Sequence, residues 1–241
     1  MIKAIKELSL NPDVTYIKIH GLQRCGTNYL LYLINENFEK SKCLVNLGGW
    51  KHGHYIAEWA VGHEVDVICI TKTPYSWLVS VYDYWHNIEK DIGPKIRGVP
   101  FKDFVRNRLY CEKQGSVPYI LRASNPVQHW NNMNYHWMSI RMQSKSLFVL
   151  RYESLISNTK SCLEAISEQF KIKMKNEFRD SKNCFNPSNE SPKLADVEWN
   201  RQKYQKEKYL EMYDQDTFDF VNEQLDLDLM IKLNYEYKGI K

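Results

Sequence analysis

The segment from Gly21 to Tyr29 carries the residue types that bind small anions. It reads Gly-Leu-Gln-Arg-Cys-Gly-Thr-Asn-Tyr and joins an apolar run to a sequence with helical spacing. At such a junction backbone N–H groups converge, and the positive end of the helix dipole adds to their attraction for an anion. Arg24 supplies a fixed charge, while Thr27 and Asn28 supply further donors. The pattern GxxxxGK[ST] is absent. By composition alone, the segment fits an anion site and an ordinary connection with Gly26 as a turn residue equally well.

Three apolar runs followed by helical patterns are the elements that must hold this loop. The runs cover 14–19, 65–70 and 147–150, and helical spacing follows them at 30–38, 77–85 and 155–170. Strand followed by helix, three times over, predicts parallel strands joined by crossover helices. The sequence therefore predicts an α/β fold with a central parallel sheet flanked by helices. Two further helices are predicted near the C-terminus, around 204–213 and 217–225.

The composition argues against several classes of protein. The 241 residues are 43% hydrophobic and 13% aromatic with a net charge of only +4, which argues against disorder and against a nucleic-acid binder. No apolar run approaches the roughly 18 residues that a membrane helix needs, and residues 1–13 contain no signal-peptide core. The six cysteines lack regular spacing, which favours free thiols over a secreted disulfide framework. We therefore expect a cytoplasmic protein without membrane or nucleic-acid partners.

The segment from Gly21 to Tyr29, which we call the anion loop, resembles the 5′-phosphosulfate loop of sulfotransferases that use 3′-phosphoadenosine 5′-phosphosulfate (PAPS). In that family a basic residue, a small residue, Gly, Thr or Ser and a further polar residue follow the first strand. The sequence fills these positions in order with Arg24, Cys25, Gly26, Thr27 and Asn28. Tyr29 stands where many members have a Trp that stacks near the adenine. The resemblance implies that these six residues bind PAPS and its product, adenosine 3′,5′-bisphosphate (PAP).

Two more segments resemble motifs of the same family. After the second predicted strand the family has a basic residue and, eight positions later, a Ser, and both contact the nucleotide 3′-phosphate. Lys72 and Ser80 stand at these positions, where most members have Arg as the basic residue. Lys keeps the charge but lacks the bidentate fork of Arg. The segment 150–155, Leu-Arg-Tyr-Glu-Ser-Leu, is similar to the family's YEDL segment, which implies that Tyr152 lies close to the adenine.

The extent of the resemblance implies the fold and the domain organisation. Softer matches around 125–137 and 204–226 extend it over roughly residues 14 to 235. We therefore expect one sulfotransferase domain over 1–241, with the sulfotransferase fold that is related to P-loop NTPases. The irregular stretch at about 87–146 is expected to be an insertion that contacts the acceptor.

A basic segment before the second predicted strand offers the proton acceptor that sulfuryl transfer needs. The reaction requires in-line positioning, charge stabilisation on the leaving phosphate, for which Arg24 is suited, and removal of the acceptor's proton. In many family members a Lys-x-His or Lys-His segment at this point carries the catalytic His. We therefore expect His52 to be the general base and Lys51 to assist at the sulfuryl oxygens. His54 and Glu58 are the alternatives for the base, and no metal is expected.

Other interpretations of the same residues stay open. His52 and His54, with Cys43 and His63, are a set that can bind zinc, although their spacing matches no common zinc module. A P-loop-type phosphoryl transferase would need a Walker Lys and a Mg²⁺ ligand, whereas the second predicted strand ends in Lys72 rather than Asp. A non-catalytic nucleotide-binding or nucleic-acid-binding module would use the many Tyr and Trp residues, which mostly recur at the helical spacing of core positions.

The acceptor and the late part of the nucleotide site are not indicated by the sequence. We expect a small-molecule or carbohydrate acceptor with a hydroxyl or an amine group. Trp130, Tyr135 and Trp137 can stack on such a molecule, but core packing explains them equally well. The family's late basic loop against the 3′-phosphate, often Arg-Lys-Gly, has no counterpart here, and nothing selects among Lys193, Arg201 and Lys203. The oligomeric state is not indicated either.

Overall fold

A sheet of four parallel strands carries the site. The strands are β1 (Thr15–His20), β2 (Ser41–Cys43), β3 (Asp66–Thr71) and β4 (Ser146–Arg151), in the order β2-β1-β3-β4. β3 is buried along its whole length, as expected for a parallel strand covered on both faces. The predicted α/β class, with a central parallel sheet flanked by helices, is confirmed.

The computed structural model describes residues 11–44, 51–53, 65–87, 98–107, 123–139, 146–180, 183–184, 195–196, 202 and 206–239. Within these ranges, no helix has the length and apolar character needed to span a bilayer.

Helices connect and cover the strands. They are α1 (Thr27–Asn37), α2 (Pro74–Asn87), α3 (Phe101–Phe104), α4 (Pro126–Ser139), α5 (Tyr152–Ser157), α6 (Thr159–Phe170), a 3-10 helix (Lys208–Met212), α7 (Gln215–Gln224) and α8 (Leu227–Lys232). A short antiparallel pair, β5 (Asn183–Cys184) and β6 (Ala195–Asp196), lies outside the main sheet. Most of the helices therefore follow directly on a strand or pack on the sheet that the strands form.

Successive side chains of β1 point to opposite faces of the sheet, and the two faces carry different types of residue. Ile19 lines a small cavity with Thr27 and therefore faces α1. Lys18 and His20 point to the opposite face, because successive side chains of a strand alternate. On that face the His20 ring stacks on Trp137 of α4, with 6.1 Å between the ring centroids. A basic face of β1 is therefore covered by α4.

The strand order creates a switch point between β1 and β3. The chain leaves β1 for β2 on one side and returns to β3 on the other side of β1. In open α/β sheets, ligands bind in the crevice outside the carboxyl ends of the strands at such a point. The loop after His20 and the segment after Thr71 both begin there.

Some elements differ from the predicted ones. β2 is only three residues long and too short to give a pattern. The helix predicted over 155–170 is two helices, because Asn158 leaves helical geometry with φ −145° and ψ 63°. Around 204–213 only the 3-10 helix forms among the described residues, and α8 is an additional helix. The stretch at about 87–146 contains α3 and the 14-residue α4.

Candidate functional site

The anion loop is held in a bent conformation at the end of β1. Arg24 has a φ of 68° and Gly26 a φ of 87°, so the backbone turns twice within three residues. Successive N–H groups in such a turn can point to one side, which is the geometry of an anion-binding nest. Two indoles of α2 fix the loop through Gln23. Trp77 donates to its carbonyl at 2.9 Å and Trp85 to its side-chain oxygen at 3.2 Å.

Gly26 is required where the loop enters α1. A Cβ added at this position would lie 2.5 Å from Cδ2 and 2.6 Å from Cε2 of Tyr152, and the positive φ disfavours other residues. The Tyr152 ring therefore lies directly against the loop backbone. This contact brings the third predicted motif onto the first.

The N-terminus of α1 suits an anion. The helix begins at Thr27, its first turn contains no acidic residue, and no side chain caps it. The first N–H groups of a helix have no intrahelical carbonyl, and they carry the positive end of the dipole. Lys51 Nζ donates to Asn28 Oδ1 beside this end. A second positive charge thus lies next to the loop.

Lys72 contacts all three predicted motifs. Its Nζ donates to Ser80 Oγ at 2.7 Å and to the Arg24 carbonyl at 3.4 Å. The same atom lies 5.1 Å from the centroid of the Tyr152 ring. The guanidinium of Arg24 lies over the ring of Tyr84, 5.0 Å from its centroid. The motifs that follow β1, β3 and β4 therefore meet at one point, the switch point of the sheet.

Cys25 and Tyr29 have buried side chains with other partners. Cys25 is buried, and burial raises the pKa of its thiol to about 12, so the thiol stays neutral. Its N–H donates to the Leu22 carbonyl at 3.2 Å. The hydroxyl of Tyr29 donates to Asp180 Oδ1 at 2.6 Å and lies 3.3 Å from Thr159 Oγ1. The contact of these two residues with a nucleotide stays a prediction.

His52 is attached to the anion loop through both peptide groups of Gly21. The Gly21 N–H donates to the Lys51 carbonyl at 3.1 Å, and the Gly21 carbonyl accepts from His52 Nδ1 at 2.6 Å. A carbonyl only accepts, so Nδ1 carries a proton. In the neutral ring Nε2 then carries the basic lone pair. We call this pair of hydrogen bonds the Gly21 latch.

The imidazole of His52 is neutral at physiological pH. Burial, with repulsion from Lys51 and Lys18, lowers the pKa of His52 to about 3, against the opposing effect of the bond to Gly21. A neutral imidazole with a protonated Nδ1 can take a proton only at Nε2, and the lowered pKa makes it a weak base there. Trp137 supports this segment, since its Nε1 donates to the Gly53 carbonyl at 3.2 Å.

Comparisons with known proteins add structural likeness at low sequence identity. No protein-family model matches the chain, and no curated protein is similar to it in sequence. Among solved structures, the chain is similar to mouse sulfotransferase SULT7A1 complexed with PAP, at 12% sequence identity and a TM-score of 0.42. The match covers 69% of this chain and 61% of that chain, which is less than two thirds of its length. The function of this protein must therefore be argued from the geometry of its site.

Several predicted residues lie outside the described part of the chain. They are His54, Glu58, His63, Lys193, Arg201 and Lys203. In the described ranges, no group of three or more His, Cys, Asp or Glu side chains could hold a metal ion. Trp130 and Trp137 are buried in the core, whereas Tyr135 is 38% exposed. Of the three aromatic residues considered for an acceptor, Tyr135 is thus the exposed one.

Two residues support Lys72 in a way that the sequence did not predict. Glu153 Oε1 accepts the N–H of Thr73 at 2.9 Å, and Trp130 Nε1 donates to the Lys72 carbonyl at 3.0 Å. These bonds hold the C=O and the N–H of one peptide group, the one between Lys72 and Thr73. For Glu153 a signal existed, because it follows Tyr152 within the third motif.

Lys18 adds a buried charge behind His52. Its side chain is 1% exposed on the face of β1 that α4 covers. Burial, with repulsion from Lys51, lowers the pKa of Lys18 to about 7 from the ordinary value of 10.5. Between these two pH values the unfolded chain binds more protons than the folded protein, so this group makes stability rise with pH in that window. Below pH 7 the cost of burying the charge is fully present.

We expect Lys18→Met to raise the free energy of unfolding by about 2–4 kcal/mol at pH 6, because the variant buries no charge. The gain over the wild-type protein should shrink steadily towards pH 9.5. Urea unfolding at both pH values measures it. Lys42→Met, at an exposed lysine on the neighbouring strand, is the control and should show no such pH dependence. If the stability difference between Lys18→Met and wild type were the same at both pH values, the pKa of Lys18 would not be lowered in the folded protein.

Proposed function

We propose that the protein is a PAPS-dependent sulfotransferase that binds the nucleotide across the switch point between β1 and β3. The observation that carries the proposal is the position of Lys72, whose Nζ contacts the Arg24 carbonyl, Ser80 and the ring of Tyr152. Each of these partners belongs to one of the three segments that resemble sulfotransferase motifs. Their convergence supports a single nucleotide site.

The donor groups fit a nucleotide with phosphate at both its 5′ and 3′ positions. Lys72 and Ser80 hold the 3′-phosphate in this proposal, with Lys72 as a point charge rather than a fork. The uncapped N-terminus of α1, with Thr27 and the backbone of Gly26, binds the 5′ end. Arg24, which is exposed, lies in the same loop and supplies a further positive charge. In this arrangement the 3′-phosphate lies at Lys72, and the 5′ end lies at the N-terminus of α1 near Arg24.

The chemistry of the chain's own residues follows from the Gly21 latch. When bound, PAPS supplies the SO3 group, whose bond to the 5′-phosphate oxygen breaks as the acceptor oxygen or nitrogen bonds to sulfur. His52 accepts the acceptor's proton at Nε2 while Nδ1 stays bonded to Gly21. Lys51 lies at the N-terminus of α1 through its bond to Asn28 and stabilises negative charge there. Arg24 stabilises the charge that develops on the leaving phosphate.

The acceptor in this proposal is a small molecule or a carbohydrate with a hydroxyl or an amine group. The proposed base is part of the segment 51–53, which Trp137 of α4 contacts. α4 belongs to the predicted insertion at about 87–146, and this helix lies beside the proposed base. A mass-spectrometric screen for acceptors that gain SO3 in the presence of PAPS identifies the substrate.

Nucleotide binding tests the proposal directly. We expect PAP at about 100 times its Kd to raise the melting temperature by about 5 °C or more, because ligand binding to the folded state stabilises it. ATP with Mg²⁺ should have a much smaller effect, since it lacks the 3′-phosphate. The measurement is a thermal-shift titration in one buffer with both nucleotides. Greater stabilisation by ATP with Mg²⁺ would favour the phosphoryl transferase instead.

A further inference from the structure

The C-terminal segment after α8 reaches the candidate nucleotide site through Tyr235. α8 ends in a Schellman motif, in which the Tyr235 N–H donates to the Met230 carbonyl at 2.9 Å and the Asn234 N–H to the Ile231 carbonyl at 3.0 Å. Asn234 takes the left-handed conformation, with φ 55°, that this motif requires. The turn directs Tyr235 inward, where it is 7% exposed. The end of α8 thus places a buried aromatic residue beside the sheet.

Tyr235 contacts both residues that hold the backbone of Lys72. Its hydroxyl donates to Glu153 Oε2 at 3.1 Å, while Glu153 Oε1 accepts the Thr73 N–H. Its ring lies 6.1 Å from the ring of Trp130, which donates to the Lys72 carbonyl. One tyrosine therefore contacts both side chains that hold the peptide group between Lys72 and Thr73.

Arg151 holds the ring of Tyr235 from the sheet. Its guanidinium lies 4.5 Å from the ring centroid. Burial and the nearby Glu153 carboxylate raise the pKa of Tyr235 well above its ordinary value, so its hydroxyl stays a donor. The carboxylate of Glu153 accepts one hydrogen bond at each oxygen, and its orientation is fixed by the chain on both sides. A carboxylate bound in this way transmits the position of Tyr235 to the peptide between Lys72 and Thr73.

We propose that Tyr235, acting through Glu153, is a positioning residue that sets Lys72 for a phosphate at the 3′ position of the nucleotide. The inference rests on the proposed function, because it takes Lys72 as the residue that binds this phosphate. Without the hydroxyl of Tyr235, Glu153 loses one of its two hydrogen bonds, and the turn that carries Lys72 is held less firmly. Binding of the 3′-phosphate then weakens, while binding of the 5′ end at α1 does not.

Two nucleotides and a matched pair of variants test the inference. Isothermal titration calorimetry compares PAP with adenosine 5′-monophosphate, which lacks the 3′-phosphate. Tyr235→Phe keeps the buried ring and should bind PAP about five- to tenfold more weakly, which is less than the full effect of one hydrogen bond to a charged group because Tyr235 does not touch the ligand. Affinity for adenosine 5′-monophosphate should change less than twofold. Tyr237→Phe removes a hydroxyl from the same segment, where it donates to the Leu225 carbonyl at 3.4 Å, and should change neither affinity.

A second variant makes the test independent of the folding of the first. Glu153→Gln keeps the size of the side chain. Like Tyr235→Phe, it should weaken the binding of PAP more than the binding of adenosine 5′-monophosphate. A loss that is equal for both nucleotides would show a merely structural role and overturn the inference. The inference would also be overturned if the wild-type protein preferred PAP to adenosine 5′-monophosphate and both Tyr235→Phe and Glu153→Gln kept that preference unchanged. A wild-type protein that binds neither nucleotide would overturn the proposed function, and the inference with it.

Discussion

Replacement of His52 by Asn is expected to lower the turnover number about 10³-fold and to leave PAP affinity within twofold of wild type. The size of the loss is typical of removing a general base. Asn is the informative substitution because its side-chain amide can replace Nδ1 and donate to the Gly21 carbonyl. It has no atom equivalent to Nε2, the nitrogen that takes the proton in the proposed reaction. The variant therefore separates the base from the latch.

The comparison with His52→Ala isolates the contribution of the latch. Ala removes both nitrogen atoms, so we expect the same loss of turnover together with a measurable loss of stability from the bond to Gly21, which is 2.6 Å long. Turnover is measured with PAPS and an identified acceptor, and PAP affinity by calorimetry. His86→Gln, on α2, is the control, because His86 accepts from the exposed Gly98 N–H and lies outside the proposed machinery. Full activity of His52→Asn would exclude His52 as the base.

Replacement of Lys72 by Met is expected to weaken PAP binding about 10- to 100-fold, because it removes a charge-assisted hydrogen bond to the 3′-phosphate. Met retains the length and the apolar part of the side chain, which lies beside the Tyr152 ring. Affinity for adenosine 5′-monophosphate should change less than twofold, since that nucleotide presents nothing to Lys72. The loss should therefore depend on the ligand and not on the fold.

Calorimetry with both nucleotides measures the effect of Lys72→Met, and increasing salt supplies a second readout. The advantage of wild type over Lys72→Met should change little as ionic strength rises, because the Lys72 side chain is 2% exposed and salt screens buried charges weakly. Lys160→Met, at a side chain that is 63% exposed on α6, controls for a general change of one charge. An equal loss of affinity for both nucleotides would place Lys72 elsewhere than at the 3′-phosphate.

The sequence predicted the parts of the fold that are encoded locally. Apolar runs of six residues followed by helical spacing predicted β1 and β3 with the helices after them, and the structure confirms these elements. β2 was not predicted because its three residues, Ser-Lys-Cys, are too few to show a period. The strand is defined by its pairing with β1. The helix break at Asn158 was not predicted because apolar residues at helical spacing continue on both sides of it. Local pattern thus predicted the class of the fold, whereas tertiary pairing decides its details.

The candidate site was predictable in its basic residues and not in their supports. Arg24 and Lys72 follow strands, and the switch point brings their segments together. Tyr235 and Glu153 meet from positions 82 residues apart in the sequence, so no local spacing indicates their contact. The role of Gln23 was not predicted either, because the two indoles that donate to it belong to α2 and were interpreted as core residues. Supports of this kind depend on how the helices pack.

The contact between Gly26 and the Tyr152 ring has a consequence for the stage of folding at which the candidate site forms. The ring belongs to the segment after β4, so more than half of the chain separates the two residues. Contacts between distant positions form late in folding, since they require a long loop to close. A nascent chain that ends before β4 contains the entire anion loop and still lacks the surface against which it is shaped. If the proposed function holds, nucleotide binding can begin only after β4 has joined the sheet.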